Sequence, residues 1–235
     1  MTTNALTGTS GFQYAEWKGV FYPEKLPAGK MLPFYAEHFS TTEINYSFRQ
    51  IPSAKAVAAW QAATPAGFHF SFKAPQQVTH FARLRDCAGV VDALYQAVSP
   101  LDHKLGAVLF QLPPGFKKDL PLLAAFLPSL PQGMKAAFEF RHESWLDDAV
   151  YEVLQAGDTA LCIAESEDFV TPPHVTASFG YLRLRREDYT RQDMEKWAAW
   201  IQAHGGSWEH TYIYFRHEAT GIGTTFARQM KALLA

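Results

Sequence analysis

Glu43, Glu139 and Lys73 are the residues of this chain whose types and places best suit proton transfer, each standing in the polar positions of a short β-rich run. Two carboxylates near an amine can divide acid and base roles, because a neighbouring cation lowers one pKa while burial raises the other. Around them stand residues suited to holding a ligand: Asn45 two positions after Glu43, Gln111 ending another run, Arg141 two positions after Glu139, Arg183 in a later run, and Thr79-His80 just beyond Lys73. Lys73, Arg141 and Arg183 set against Glu43 and Glu139 leave one surplus positive charge in a chain whose formal net charge is −2. A concavity with surplus cation and forked guanidinium groups favours a carboxylate or phosphate ligand. The alternative is that Glu139 with Lys73, or Glu43 with Arg183, merely satisfy one another as buried ion pairs. A Schiff-base role for Lys73 needs burial to lower its pKa. Its same-parity neighbours Ser71 and His69 read as hydrated, which argues against that role.

Other signals are weaker. Phe12, Tyr14, Trp17, Phe21 and Tyr22 crowd into Gly11 to Pro23, either as an apolar plug or with Tyr14 and Trp17 stacking on a sugar or base. Gly221-Ile222-Gly223-Thr224 could cradle a phosphate on backbone N–H groups, and is equally a turn. Nine histidines are present, yet none shows HExxH or Cys/His ligand spacing, so no metal is assigned; scattered Glu43, Glu139, His142 and Glu165 are the alternative ligand set. No cofactor is legible. Cys87 and Cys162 read as reduced structural thiols.

The elements that must position these groups alternate along the chain. Strands are expected at Leu6 to Ser10, Thr42 to Phe48, Phe68 to Lys73, Ala107 to Leu112, Ala136 to Arg141, Leu161 to Ala164, Tyr181 to Arg185 and Tyr212 to Phe215. Helical stripes lie between them, such as Met194, Trp197, Ala198 and Ile201 behind a Thr190/Asp193 capping box. The sixth crossover, Glu165 to Ser178, holds Pro172-Pro173 and no helical period, so irregular chain is expected there. Alternation of strand and helix means an α/β fold with a mostly parallel sheet. Parity decides whether that sheet closes. Ile44, Phe70, Phe72, Phe138 and Phe140 occupy one parity, while Glu43, Asn45, Ser71, Lys73, Glu139 and Arg141 occupy the other. An open sheet covered on both faces reads as continuous apolar runs. A closed barrel explains the alternation, with aromatic residues under a helix ring and the polar parity facing the lumen. The expectation is a single TIM-type (β/α) barrel domain over residues 1–235, slightly smaller than the roughly 250 residues typical of that fold.

With 235 residues, 48% hydrophobic and 19% charged, the chain has a globular composition that excludes disorder and collagen. Met1-Thr2-Thr3-Asn4 carries no signal-like stretch and no apolar run is long enough to span a bilayer, so a cytoplasmic protein without membrane contact is expected. The leading functional reading is an enzyme acting on a small anionic, phosphorylated or sugar-like molecule. The second is a nucleic-acid or phosphodiester binder using Arg83, Arg85, Arg185, Arg186 and Arg216, against which the near-neutral charge counts. The third is a small-molecule binder without turnover. The oligomeric state is not legible.

Gly8-Thr9-Ser10-Gly11, Trp17 to Pro23, Thr42-Glu43-Ile44-Asn45 with Phe48, Phe72-Lys73 with Thr79-His80, Phe110 to Pro114, and Phe138 to His142 with Ser144-Trp145 together resemble the YecE-like family, built on domain of unknown function 72. The resemblance runs from about residue 6 to the end. It implies a TIM-type barrel and no settled activity, and its motif residues are Glu43, Asn45, Lys73, His80, Gln111, Glu139, Arg141 and Arg183. Two departures stand out. Arg185 and Arg186 replace a histidine and a glycine after the seventh strand, and Arg216-His217-Glu218 replaces an Asn-rich turn after the eighth.

Overall fold

The computed structural model describes residues 4–167, 169–216 and 219–235. Eight strands, β1 (Ala5–Ser10), β2 (Thr41–Ile44), β3 (His69–Lys73), β4 (Leu105–Gln111), β5 (Ala136–Glu139), β6 (Ala160–Glu165), β7 (Gly180–Leu184) and β8 (Thr211–Phe215), pair in sequence order into a closed barrel. All pairings are parallel, including the closing one between β1 and β8. Helices α1 (Met31–His38), α2 (Ala54–Ala63), α3 (Ala88–Val98), α4 (Leu120–Phe126), α5 (Asp148–Ala156), α6 (Arg191–His204) and α7 (Ile222–Leu234) fill every crossover but the sixth, which has no helix among the described residues. No helix among those residues is long and apolar enough to cross a membrane.

Side-chain parity builds the two layers. Phe70, Phe72, Phe110 and Phe138 point outward and pack beneath the helices, with Phe110 and Phe138 stacked at 5.1 Å and Trp60 of α2 on Phe70 at 5.9 Å. The opposite parity fills the lumen, where small Ala107, Ala137, Ala160 and Ala164 make room for Tyr181, Tyr212 and Tyr214. Alternation of small and large side chains is what lets a narrow barrel fill without voids. Ser71 belongs to this packing: it is buried and accepts the Tyr214 hydroxyl hydrogen bond at 2.7 Å, so it is not hydrated as its polarity had implied. The helix ends follow local chemistry as well. Thr190 and Asp193 form the capping box that opens α6, and Ser53, Asp119 and Asp147 cap α2, α4 and α5.

Two strands are shorter than their alternation implies: β5 stops at Glu139 instead of Arg141, and β2 is cut back further. The run Thr42 to Phe48 is extended only to Ile44, and Tyr46–Phe48 forms a short 3₁₀ turn. Ser47 causes the break, its hydroxyl donating to the carbonyls of Ile44 at 2.9 Å and Lys73 at 2.7 Å. A side chain thereby takes over carbonyls that a continuing ladder would use.

The amino-terminal end of the lumen closes over a histidine pair, His69 and His210, with ring centroids 4.8 Å apart; His69 Nδ1 lies 3.2 Å from the Tyr212 hydroxyl. Burial first, then the facing His210, pushes the His69 pKa down to about 4. A group depressed on folding contributes stability that is complete above its unfolded value and lost as pH falls. Stability is therefore expected to decline between about pH 6.5 and pH 4. Denaturant titrations across that window should show a shallower decline in His69→Asn, and an identical slope would refute the assignment.

Candidate functional site

The carboxyl ends of β2, β5 and β7 bring Glu43, Glu139 and Arg183 together from far apart in the chain. Glu43 and Glu139 are fully buried, and Arg183 lies between them. Its guanidinium donates from Nη2 to Glu43 Oε1 at 2.8 Å and from Nη1 to Glu139 Oε2. Glu43 further accepts from Ser10 at 3.0 Å and from the Tyr181 hydroxyl at 2.7 Å. Glu139 further accepts from Gln111 at 2.9 Å, Arg141 Nε at 3.0 Å and Arg185 Nη2 at 3.2 Å. Every oxygen of both carboxylates is therefore engaged. Of the ion pairs weighed from sequence, Glu43 with Arg183 forms, while Glu139 pairs with three arginines instead of Lys73. Burial alone would raise the Glu139 pKa, but Arg183, Arg185, Arg141 and the Gln111 amide outweigh it and hold the carboxyl well below the usual range.

Lys73 is half-buried at the end of β3, and its Nζ has no hydrogen-bond or ion-pair partner among the described residues. It lies 4.2 Å from the centroid of the Phe48 ring, which the 3₁₀ turn after β2 delivers. Burial, then Arg183, lowers its pKa to about 8 against the pull of Glu43 and Glu139. His80 sits on a π-helical turn, Gln77–Phe81, with its ring 5.0 Å from Phe48 and its Nδ1 2.9 Å from the Thr79 hydroxyl. Burial, then Lys73 and Arg141, lowers its pKa.

The structure separates the other candidates. Asn45 follows β2 at the start of the 3₁₀ turn with its amide unbonded among the described residues, and it lines a cleft of about 530 Å³ beside the mouth together with Tyr14, Gln13, Gln50 and Trp60. Trp17 is a correction: only 1% exposed, it packs against Tyr14, Phe21 and Tyr22 at 4.7, 6.0 and 6.1 Å, so it belongs to the plug and has no face to offer a ligand. Gln111 is likewise buried and spent on Glu139. Gly221 adopts φ +69 ahead of α7, and the Thr224 hydroxyl donates to its carbonyl at 2.8 Å, so this segment is a turn. A Cβ on Gly223 would stand 2.9 Å from the Arg216 carbonyl, the close approach that needs glycine. His217 and Glu218 lie outside the described residues. Among those residues no three His, Cys, Asp or Glu side chains are placed to hold a metal ion; His142 bonds Ser144 at 2.9 Å and Glu165 accepts from Trp197 at 2.9 Å.

Of the two arginines in the departure after β7, Arg185 enters the mouth, whereas Arg186 turns to Asp188 at 2.9 Å and Glu165 at 3.7 Å. Lys73, Arg141, Arg183 and Arg185 against Glu43 and Glu139 leave two surplus positive charges there, one more than the sequence count. Sequence reading missed Ser10, Tyr181 and Arg185 as partners of the glutamates. Tyr181 and Arg185 were detectable, since they share the lumenal parity of Arg183 on the same run.

The family model described as "Protein of unknown function DUF72" matches residues 6–235. UPF0759 protein YecE of Escherichia coli is 28% identical over 194 residues, covering 72% of this chain and 71% of that one. UPF0759 protein YunF of Bacillus subtilis is 33% identical over 139 residues, covering 56% of this chain and 49% of that one. The crystal structure of a DUF72 family protein, TM1631 of Thermotoga maritima, superposes with a TM-score of 0.86 at 26% identity over 98% of each chain. The two share the barrel from end to end. On the family-model match across nearly its whole length, the chain belongs to the DUF72 family.

Proposed function

We propose that the protein is an enzyme that binds a small anionic substrate, carrying a carboxylate or phosphate, at the carboxyl-end mouth of its barrel. The observation that carries this reading is the pairing arithmetic of the mouth: four cations converge, both carboxylates are fully engaged, Glu139 by three arginines and Gln111 and Glu43 by Arg183, Ser10 and Tyr181, and Lys73 is left over. Two further donors stand beside it. Arg183 Nε and Arg185 Nε are buried without a hydrogen-bond partner. The buried charges balance, Arg183 and Arg185 against Glu43 and Glu139, so the surplus sits on the half-buried Lys73 and the one-third-exposed Arg141, where an anionic ligand can reach it.

The roles divide differently from the acid/base pair expected of Glu43 and Glu139. Glu139 is held ionised by three guanidinium groups, which suits a group that orients arginines and opposes one that cycles a proton. Glu43 anchors the other end of Arg183. Proton transfer passes to Lys73 and His80, whose pKa values are both lowered toward neutrality or below. Arg141, one-third exposed, and Asn45 and Tyr14 at the adjoining cleft contact the substrate. A small ligand is favoured over nucleic acid because the basic surface is largely spent internally: Arg185 on Glu139, Arg186 on acidic neighbours, and Arg85 on Asp119 at 2.9 Å.

Thermal unfolding in the presence of inorganic phosphate tests the reading. At a hundred times Kd a ligand adds about 2.7 kcal/mol, roughly 5–10 °C for a domain of this size. Arg141→Ala should weaken phosphate binding about tenfold or more, the usual worth of one charge-assisted hydrogen bond. An unmoved Tm with phosphate, pyrophosphate and small carboxylates alike would reject the proposal.

A further inference from the structure

We infer that Lys73 is a nucleophile that forms a Schiff base with the carbonyl carbon of an anionic aldehyde or 2-oxo acid bound in the mouth. The inference rests on the anion-binding reading above and specifies its substrate class.

The geometry that separates Lys73 from an ordinary lysine is its isolation. Lys104, the chain's fully buried lysine, has a saturated ammonium, donating to the carbonyls of Gln61 and Thr64 at 2.7 Å each and to the Thr64 hydroxyl at 3.2 Å. Lys73 has no such acceptor among the described residues, although two carboxylates stand in the same mouth. Arginine takes both of them: Arg183 spans the pair, and Arg141 and Arg185 fill Glu139. Nζ is left against the Phe48 ring with cations around it. An amine becomes nucleophilic when it is desolvated or placed next to other cations, since both disfavour the ammonium form. Lys73 has both, and its pKa of about 8 follows. The objection read from sequence, that Ser71 and His69 would hydrate the amine, falls away: Ser71 is buried in hydrogen bonding with Tyr214, and His69 lies at the opposite end of β3 against His210.

The step needs no cofactor or oxidant. The neutral Nζ lone pair attacks the carbonyl carbon, forming C–N while the C=O π pair moves to oxygen, and one amine proton passes to that oxygen to give the carbinolamine. The second amine proton then leaves with the hydroxyl as water when C–O breaks, and the nitrogen lone pair closes C=N. His80, whose Nδ1 is engaged by Thr79, has its other ring nitrogen without a partner among the described residues and can relay these protons. Arg141, one-third exposed, binds the substrate's anionic group and fixes which carbon meets Nζ.

Reductive trapping tests the inference. The full chain is incubated with glyoxylate and cyanoborohydride, which reduces the imine to a stable secondary amine, and modified lysines are mapped by peptide mass. Lys73 should label at least tenfold faster than exposed Lys25 and Lys55, with a rate that rises through about pH 8 and is suppressed by excess inorganic phosphate. The groups facing it across that range are Glu43, Glu139, Arg141, Arg183 and His80. Lys73→Arg should abolish the fast site while the surface lysines label as before. Labelling spread evenly over exposed lysines, with Lys73 no faster than Lys25, would overturn the nucleophile even if phosphate still raises the Tm. The absence of a phosphate effect on Tm and on labelling would overturn the anion reading on which it rests.

Discussion

Glu139→Ala is expected to lose about 3–5 kcal/mol of folding stability, the range seen when one partner of a buried ion pair is removed. For a chain of this size that lowers Tm by roughly 6–20 °C. The reason is the number of groups that depend on one carboxylate. Arg183, Arg141, Arg185 and Gln111 all donate to it, and in its absence Arg183 retains only Glu43, while Arg185 loses its carboxylate with Nε already unpartnered. Arg141→Ala removes a one-third-exposed member of the same network. It should cost no more than about 1 kcal/mol, as partly hydrated pairs do. The pH dependence has a definite sign. Glu139 titrates lower in the fold than its ordinary 4.5, so its contribution is complete above that value and falls away in acid. Denaturant unfolding at pH 7 should therefore separate wild type from Glu139→Ala widely, and the gap should narrow below about pH 4.5. A loss under about 1 kcal/mol at pH 7 would show that the arginines do not depend on this carboxylate.

The second large effect concerns the pairing of β1 with β2. Gly8 in β1 pairs with Thr41 in β2, and a Cβ there would stand 1.9 Å from the Thr41 carbonyl oxygen and 2.8 Å from the Tyr35 hydroxyl. The first of these atoms is backbone, so relief requires the two strands to part. Tyr35 also donates to the Thr41 carbonyl at 3.0 Å and accepts from the Thr9 amide at 2.7 Å, so the same displacement breaks the hydrogen bonds that seat α1 on the sheet. Overpacking in a core costs about 1–3 kcal/mol and occasionally more, and a backbone clash between paired strands belongs at or above the top of that range. Gly8→Ala should therefore unfold more easily by about 3 kcal/mol or more, or accumulate as insoluble chain. Gly67→Ala is the matched control, with nothing within 4 Å of the added carbon. It should fall within about 0.5 kcal/mol of wild type, as surface substitutions do. Equal stability of the two variants would refute the strand-clash argument.

Much of the fold was legible because alternation is a local property. Phe70 and Phe72 against Ser71 and Lys73, and Phe138 against Glu139, declare two faces without reference to any other strand. The end of β2 was not legible, because the Ser47 hydroxyl bonds the carbonyl of Lys73 on the neighbouring strand. Trp17 was misplaced for a similar reason: its indole nitrogen invited an exposed reading, and only the packing of Tyr14, Phe21 and Tyr22 around it closes that face.

The sequence by itself determined the barrel, the lumenal parity and all the charged residues of its mouth but Arg185, because each depends on the period of a single strand. Which charges meet is decided elsewhere. Arg183 reaches Glu43 and Glu139 only because closing the sheet and staggering its strands brings β2, β5 and β7 to one level of the lumen. The same closure gives both carboxylates to arginine and leaves Lys73 without a counter-ion, a property of the whole ring of strands that no single run can encode.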